Sequence, residues 1–190
     1  MNRNDTENEI ERSIAHLNRG NVILYPTDTV WGIGCDARNS EAIAKIYQIK
    51  ERDSSKAMLC MVSDFTMLKK YVQVRPEIET YLKKMERPTT VIYPEVKGLS
   101  PKLKALDGSI AIRVVNDPFC TPLIKKFGAP IVSTSANLSK HPNPSSYEEI
   151  EKSILERVDY IVNLQTEKIT QAPSRLIRIN EDGSISSLRE

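Results

Sequence analysis

Val22-Ile-Leu-Tyr25, followed by Pro26-Thr-Asp-Thr-Val-Trp-Gly-Ile-Gly34, is the stretch that decides the fold. A short apolar run bounded by a proline reads as a buried strand. Two threonines, a carboxylate, an indole and two glycines come next. Loops that leave the strands of an α/β protein are where ligands sit, and glycine lets backbone approach a ligand closely. The segment therefore predicts a strand that ends in a ligand loop. A plain turn around a core Trp31 is the competing reading. The lone Gly-x-Gly lacks the third glycine of a dinucleotide fingerprint, and no GxxxxGK(S/T) phosphate loop occurs in the chain.

Working outward, helix and strand patterns alternate. Ile10, Ile14 and Leu17 share a helical face that stops at Gly20, and a second helix starts at Ser40 with Ile43, Ile46 and Tyr47 as its apolar side. Met58 to Val62 is an expected strand. Ser63 or Asp64 caps a helix to about Tyr71, and Pro76 opens another. Strands are expected at Thr89 to Tyr93, Ile110 to Val114 and Ile131 to Ser133, with a helix from Pro118 to Phe127 closed by Gly128. Tyr147, Ile150, Ile154 and Leu155 predict a helix. Val158 to Val162, Leu176 to Ile179 and Ile185 to Leu188 predict late strands, the last two joined by a turn at Glu181-Asp-Gly183. The expectation is an α/β fold over residues 1–190, one domain with a twisted mixed sheet flanked by helices.

Composition narrows the function classes. The 190 residues carry 27 Lys+Arg against 25 Asp+Glu, a net charge of +2 that does not demand nucleic acid. No apolar run approaches the roughly 20 residues of a membrane span, and the polar, acidic start resembles neither a signal nor a transit peptide. Cys35, Cys60 and Cys120 form no metal or disulfide pattern, which points to a reduced, cytoplasmic setting. His16, expected on an exposed helix, and His141, in a loop, lack ligand spacing. Cys35 has no histidine near it in sequence to activate it as a nucleophile.

Three further clusters could carry chemistry. Lys50-Glu-Arg-Asp-Ser-Ser-Lys56 places three cations at a helix end, where the macrodipole alone also favours them. Ser133-Thr-Ser-Ala-Asn137 follows a strand with small donors suited to a phosphate or carboxylate, though serine and asparagine equally make turns. Arg113 ends one strand, and Ser174, Arg175, Arg178 and Arg189 lie in the last ones. Converging arginines bind phosphate bidentately.

Together these loops resemble the YrdC family of threonylcarbamoyl-AMP synthases over roughly residues 10–189. Tyr25 to Gly34 is similar to the family's YPT(D/E)TVYGLG. Lys50, Arg52 and Lys56 are similar to its KxR and following basic position, and Ile110-Ala-Ile-Arg113 to its strand ending in a ligand-binding arginine. Thr134-Ser-Ala-Asn137 then Leu-Ser139 is similar to TSANxSG, Pro173-Ser174 to the start of STVVD, and Leu188-Arg189 to LRxG. The resemblance implies that L-threonine, bicarbonate or CO2, and ATP give threonylcarbamoyl-AMP and pyrophosphate. A separate transferase complex then modifies position 37 of tRNA. It implies Lys50 and Arg52 as catalytic cations. Thr29, Arg113, Ser133 and Ser174 would hold threonine. Arg52, Lys56, Ser109, Ser135, Asn137, Asn143 and Arg189 would meet ATP, with Mg2+ arriving on the nucleotide. A double-stranded RNA or ribosome-maturation role on the same fold is the alternative.

The chain departs from the pattern at five places. Trp31 replaces a tyrosine expected in the pocket wall. Glu86-Arg87-Pro88 stands for Pro-Gly-Pro. Lys140 replaces a glycine beside the nucleotide loop, Arg175 the threonine after Ser174, and Met61 a polar threonine contact.

Overall fold

The computed structural model describes residues 3–54, 56–164, 173–180 and 184–190. Helix α1 (Arg3–Asn18) leads into β1 (Ile23–Tyr25) and β2 (Gly32–Gly34). Helix α2 (Ser40–Ile49), β3 (Leu59–Val62), α3 (Phe65–Leu68), α4 (Pro76–Lys83) and β4 (Thr89–Tyr93) follow. After a short 3-10 helix (Pro101–Leu103) come β5 (Ile110–Val114), α5 (Cys120–Phe127) and β6 (Ile131–Ser135). Helix α6 (Lys152–Leu155), β7 (Tyr160–Ile161), β8 (Arg175–Ile179) and β9 (Ile185–Arg189) complete the described chain.

Capping sets several of the helix ends. The Asn39 side chain accepts from Glu41 and Ala42 N–H to start α2, and Asp64 accepts from Met67 N–H to start α3. The Asp117 carboxylate takes the N–H groups of Phe119 and Cys120 at α5, and Gly128 ends that helix at φ +78°. Helix α1 packs on α5 and β1. Its buried Glu9 accepts from Tyr160 Oη at 2.6 Å and Asn163 N–H at 3.0 Å, which ties the helix to the β7 edge.

Among the described residues nine strands form one mixed sheet in the order β7-β1-β2-β6-β3-β5-β4-β8-β9. The β3–β5 and β4–β8 pairs are parallel; β6–β3, β5–β4 and β8–β9 are antiparallel. Register sorts the two faces, because residues directly opposite share a side. One row runs Cys60, Ile112, Val91 and Ile177, all buried core. The adjacent row, on the other face, runs Met61, Arg113, Thr90, Leu176 and Arg189. This second face carries the site.

The expected strands and helices are present, though the helix expected to about Tyr71 ends at Leu68 and the strand expected at Val158 to Val162 is only Tyr160–Ile161; four further differences stand out. The supposed ligand loop after Tyr25 is half strand, since residues 32–34 form β2 between β1 and β6. The supposed hydroxyl loop at 133–135 is still β6. The helix expected from Tyr147 is one turn, Lys152–Leu155. His16 is half-buried and stacks on Tyr160 at 4.5 Å rather than standing exposed. The expected turn at 181–183 lies outside the described residues.

The β2 glycines have a packing reason. A Cβ on Gly34 would lie 2.2 Å from the Val132 carbonyl oxygen and 2.8 Å from the Tyr25 ring. Tyr25 Oη donates to that same carbonyl at 3.2 Å. Backbone cannot yield as a flexible side chain can, so Gly34→Ala pushes β2 off β6. The expected loss is about 3 kcal/mol or more in urea unfolding, whereas a value within 1 kcal/mol of wild type would contradict this packing.

Candidate functional site

A cavity of about 340 Å3 opens over the Arg113 face of the sheet. Leu59, Ala111 and Leu176 form its apolar floor, and Thr27, Thr29, Thr90, Ser133, Ser135 and Ser174 bring hydroxyls. Arg113, 2% exposed, reaches into it from the middle of the sheet. Its Nη2 donates to Asp28 Oδ1 at 2.8 Å and lies 3.1 Å from Met61 Sδ, and Nη1 donates to Thr29 Oγ1 at 3.3 Å. Its Nε is buried with no partner among the described residues. A buried donor without an acceptor is costly, and an anionic ligand would supply the acceptor.

The loop on the β1 side is prearranged around Thr27. Its Oγ1 donates to the Val30 carbonyl at 2.7 Å, accepts from Thr29 N–H at 3.1 Å and lies 3.1 Å from Thr29 Oγ1. On the β8 side, Thr90 Oγ1 and Ser174 Oγ are 2.8 Å apart. Among the described residues no carboxylate lines the cavity. Arg52, Asn143 and Arg189 stand on its wall. Arg52 Nη2 is braced by the Ala57 carbonyl at 2.9 Å, and Arg189 Nη2 by the Ser174 carbonyl at 2.7 Å. The arrangement suits a small carboxylate at Arg113 and a larger anion between Arg52 and Arg189.

Lys50 does something different. It is 1% exposed and does not line the cavity. Its Nζ donates to the Ser135 and Asn137 carbonyls and, at 3.3 Å, to Asn137 Oδ1. Asn137 Oδ1 also accepts from Ser135 Oγ at 2.5 Å, while Asn137 Nδ2 donates to the His141 carbonyl at 2.6 Å. Lys50 thus holds the end of β6 and the turn after it. Burial, and then the nearby Arg52 charge, lower its amine to about 7; Glu151 opposes them. The Lys-x-Arg spacing has a local cause. Arg52 N–H bonds the Tyr47 carbonyl and Glu51 N–H the Gln48 carbonyl, with Glu51 left-handed at φ +49°. The chain reverses at Glu51, so Lys50 turns inward and Arg52 faces the cavity.

Of the expected site residues, the structure gathers Thr29, Arg52, Arg113, Ser133, Ser135, Asn143, Ser174 and Arg189 around one cavity. Lys50, expected as a catalytic cation, and Asn137 stand behind its wall, with Lys50 Nζ held by the Ser135 and Asn137 carbonyls. Lys56 is exposed and outside the lining. Ser109 is also outside, its hydroxyl donating to Asp107 Oδ1 at 2.6 Å. Trp31 is not pocket wall; it is 1% exposed and packs on Tyr147 at 5.2 Å. Burial pushes the Cys35 thiol far up, against any nucleophilic role. Arg175 lies on the opposite sheet face, donating to Glu190 at 3.0 Å and Tyr81 Oη at 3.4 Å. Thr27 and Gly32 belong to the expected ligand loop without individual roles, and Thr90 and Leu176 have no place in the expected site. Strand register across from Arg113 is the signal that would have found Thr90.

The Sua5_yciO_yrdC family model, described as "Telomere recombination", matches residues 15–190. This chain belongs to the Sua5/YciO/YrdC family. The Xanthomonas campestris pv. campestris (strain B100) protein named threonylcarbamoyl-AMP synthase is 32% identical over 160 residues, covering 82% of this chain and 85% of its own. E. coli YciO superposes with a TM-score of 0.83 at 26% identity, over 97% of this chain and 89% of its own. The P. abyssi Sua5 structure complexed with L-threonine has a TM-score of 0.82 at 22% identity, over 95% of this chain and 53% of its own. Within the Sua5/YciO/YrdC pattern, the glycine that Lys140 replaces has a backbone reason: Lys140 sits at φ +73°.

Two measurements probe this wall. Lys140→Gly removes left-handed strain of roughly 1–2 kcal/mol while raising unfolded-chain entropy, for an expected net gain of about 0.5–1 kcal/mol. A lower melting temperature would contradict it. For Lys50, the unfolded chain keeps its proton up to the ordinary lysine value while the folded chain releases it near 7. Between those values the unfolded state binds more protons, so the contribution of Lys50 to stability rises with pH. Urea unfolding at about pH 6 and about pH 9 should move the wild-type minus Lys50→Met difference in favour of wild type. An unchanged difference would refute the depressed amine.

Proposed function

We propose that this protein is an L-threonylcarbamoyladenylate synthase, a nucleotidyltransferase. The observation that carries the reading is buried Arg113, with its unpartnered Nε, in a hydroxyl-lined cavity whose wall holds Arg52 and Arg189. Arg113 and Thr29 hold the threonine carboxylate, and Ser133 and Ser174 help to hold the rest of the amino acid. Arg52, Ser135, Asn143 and Arg189 take ATP. Lys50 and Asn137 shape the wall behind it, and Lys56 and Ser109 stay outside the lining. The name of the X. campestris relative and the L-threonine in the P. abyssi Sua5 structure support this choice of substrates.

The neutral threonine amine attacks CO2 (free or from bicarbonate) and loses a proton, giving a carbamate. A carbamate oxygen then attacks the α-phosphorus of ATP; the bond to the β-phosphate oxygen breaks and pyrophosphate leaves. No step needs a protein nucleophile. Catalysis is positioning and charge stabilisation. Mg2+ enters on the triphosphate, as magnesium usually does at phosphates. The product feeds a threonylcarbamoyl transferase complex that modifies tRNA in the cytoplasm. No helix of the described residues is long and apolar enough to cross a membrane.

Pyrophosphate release, with threonine, bicarbonate and ATP each omitted in turn, is the test. Release should require all three. Arg113→Ala should lower kcat/KM for threonine by about 10²-fold or more and leave the KM for ATP near wild type. Arg52→Ala should instead affect the ATP term. Release indifferent to threonine would overturn the proposal and bring forward the alternative, a double-stranded RNA-binding role.

A further inference from the structure

Thr90 carries no role in the expected site, yet it is among the most enclosed polar groups of the cavity. It is 1% exposed and lies directly opposite Arg113 in the β4–β5 ladder. Its Oγ1 is 2.8 Å from Ser174 Oγ, and Ser174 is itself buried. Among the described residues neither hydroxyl bonds another side chain. Two hydroxyls bring two protons and four lone pairs. Their mutual bond uses one proton and one lone pair. One O–H and three lone pairs remain, buried against the apolar side chains of Ala111 and Leu176 that line the same cavity. A group of that kind needs a partner, since buried polar groups left unpaired are destabilising.

We infer that the Thr90–Ser174 hydroxyl pair is a specificity element that reads the side-chain hydroxyl of the amino-acid substrate, with Thr90 positioning Ser174. The inference rests on the reading of Arg113 as the carboxylate site. Thr90 lies directly opposite Arg113 in the ladder, so an amino acid with its carboxylate on Arg113 and its side chain directed toward β4 would bring its β-carbon substituents to this pair. A substrate bearing both a hydroxyl and a methyl satisfies the pair and the apolar floor together. A hydroxyl-free isostere leaves the pair without its partner and is rejected. This discrimination exceeds what an apolar pocket achieves, because a site that hydrogen-bonds a hydroxyl penalises its absence strongly.

L-threonine and L-valine, which differ by a hydroxyl in place of a methyl, are compared as substrates for pyrophosphate release and as ligands by calorimetry. Wild type should prefer threonine by a large ratio. Thr90→Val, which keeps the shape and removes the hydroxyl, should narrow the threonine-to-valine ratio by roughly tenfold or more. The loss should fall on threonine, with the KM for ATP unchanged. Thr90→Ser should restore most of the ratio, which a merely structural role would not predict. A Thr90→Val protein that keeps the wild-type ratio overturns the inference and leaves the synthase reading intact. If Thr90→Val does not fold, the Thr90→Ser and Ser174→Ala ratios decide it: wild-type discrimination in Ser174→Ala overturns it. Wild type indifferent to threonine overturns both readings.

Discussion

A guanidinium held at 2% exposure in the middle of a sheet is the constraint on which the rest depends. A charge in that position is tolerated only when it is paired and hydrogen-bonded. Arg113 lies between Met61 and Thr90 in register, and neither neighbour carries charge. Compensation therefore has to come from off the sheet. The Asp28–Thr29 segment provides it, one carboxylate oxygen at 2.8 Å and one hydroxyl at 3.3 Å. The loop that holds these two residues must return to the sheet at once, and the β2 glycines let it do so. Gly34 lies close enough to Val132 that no side chain fits. The same glycines that suggested a ligand loop thus act mainly on the scaffold, by placing the counter-charge for the binding arginine.

The two cations of the Lys-x-Arg element divide their work by backbone geometry. Two residues apart in sequence, they would be alike as point charges. The left-handed turn at Glu51 separates them: Lys50 meets three acceptors behind the wall, and Arg52 faces the cavity. Lysine suits the enclosed position because a compact ammonium can serve acceptors converging from several directions. Arginine suits the open one because its planar fork meets oxyanions in pairs.

The order of elements was legible because buried strands such as Val22 to Tyr25 are continuous apolar runs, and because Asn39, Asp64 and Gly128 mark helix ends chemically. The boundaries near the site were harder. Gly32-Ile-Gly34 has neither alternation nor length, and its strand exists only because β1 and β6 flank it. Ser133 to Ser135 reads as turn chemistry, yet the ladder with β2 and β3 keeps it extended. The helix expected from Tyr147 lost most of its length because apolar spacing at 147, 150 and 154 also suits side chains anchoring an irregular segment, as Tyr147 does on Trp31. Eight of the expected site residues share the cavity, since a motif's spacing transfers contacts together. Thr90 stayed hidden because its neighbour, Arg113, is 23 positions away and meets it only through strand pairing.

Strand alternation also resolves the departures that looked most serious. Arg175 directly follows Ser174, which lines the cavity. Successive strand residues point to opposite faces, so Ser174 enters the cavity while Arg175 reaches Tyr81 and Glu190 on the far side. The substitution changes how β8 packs and not what the cavity offers. Lys140 is a different case: its position is set by a left-handed backbone on an exposed turn, where a side chain is strained but meets no ligand wall. Met61 is the departure that reaches the chemistry, because its sulfur sits 3.1 Å from the Arg113 guanidinium. A thioether is a weak acceptor. It leaves Arg113 less satisfied than a hydroxyl would, and so more dependent on Asp28 and on whatever anion enters the cavity.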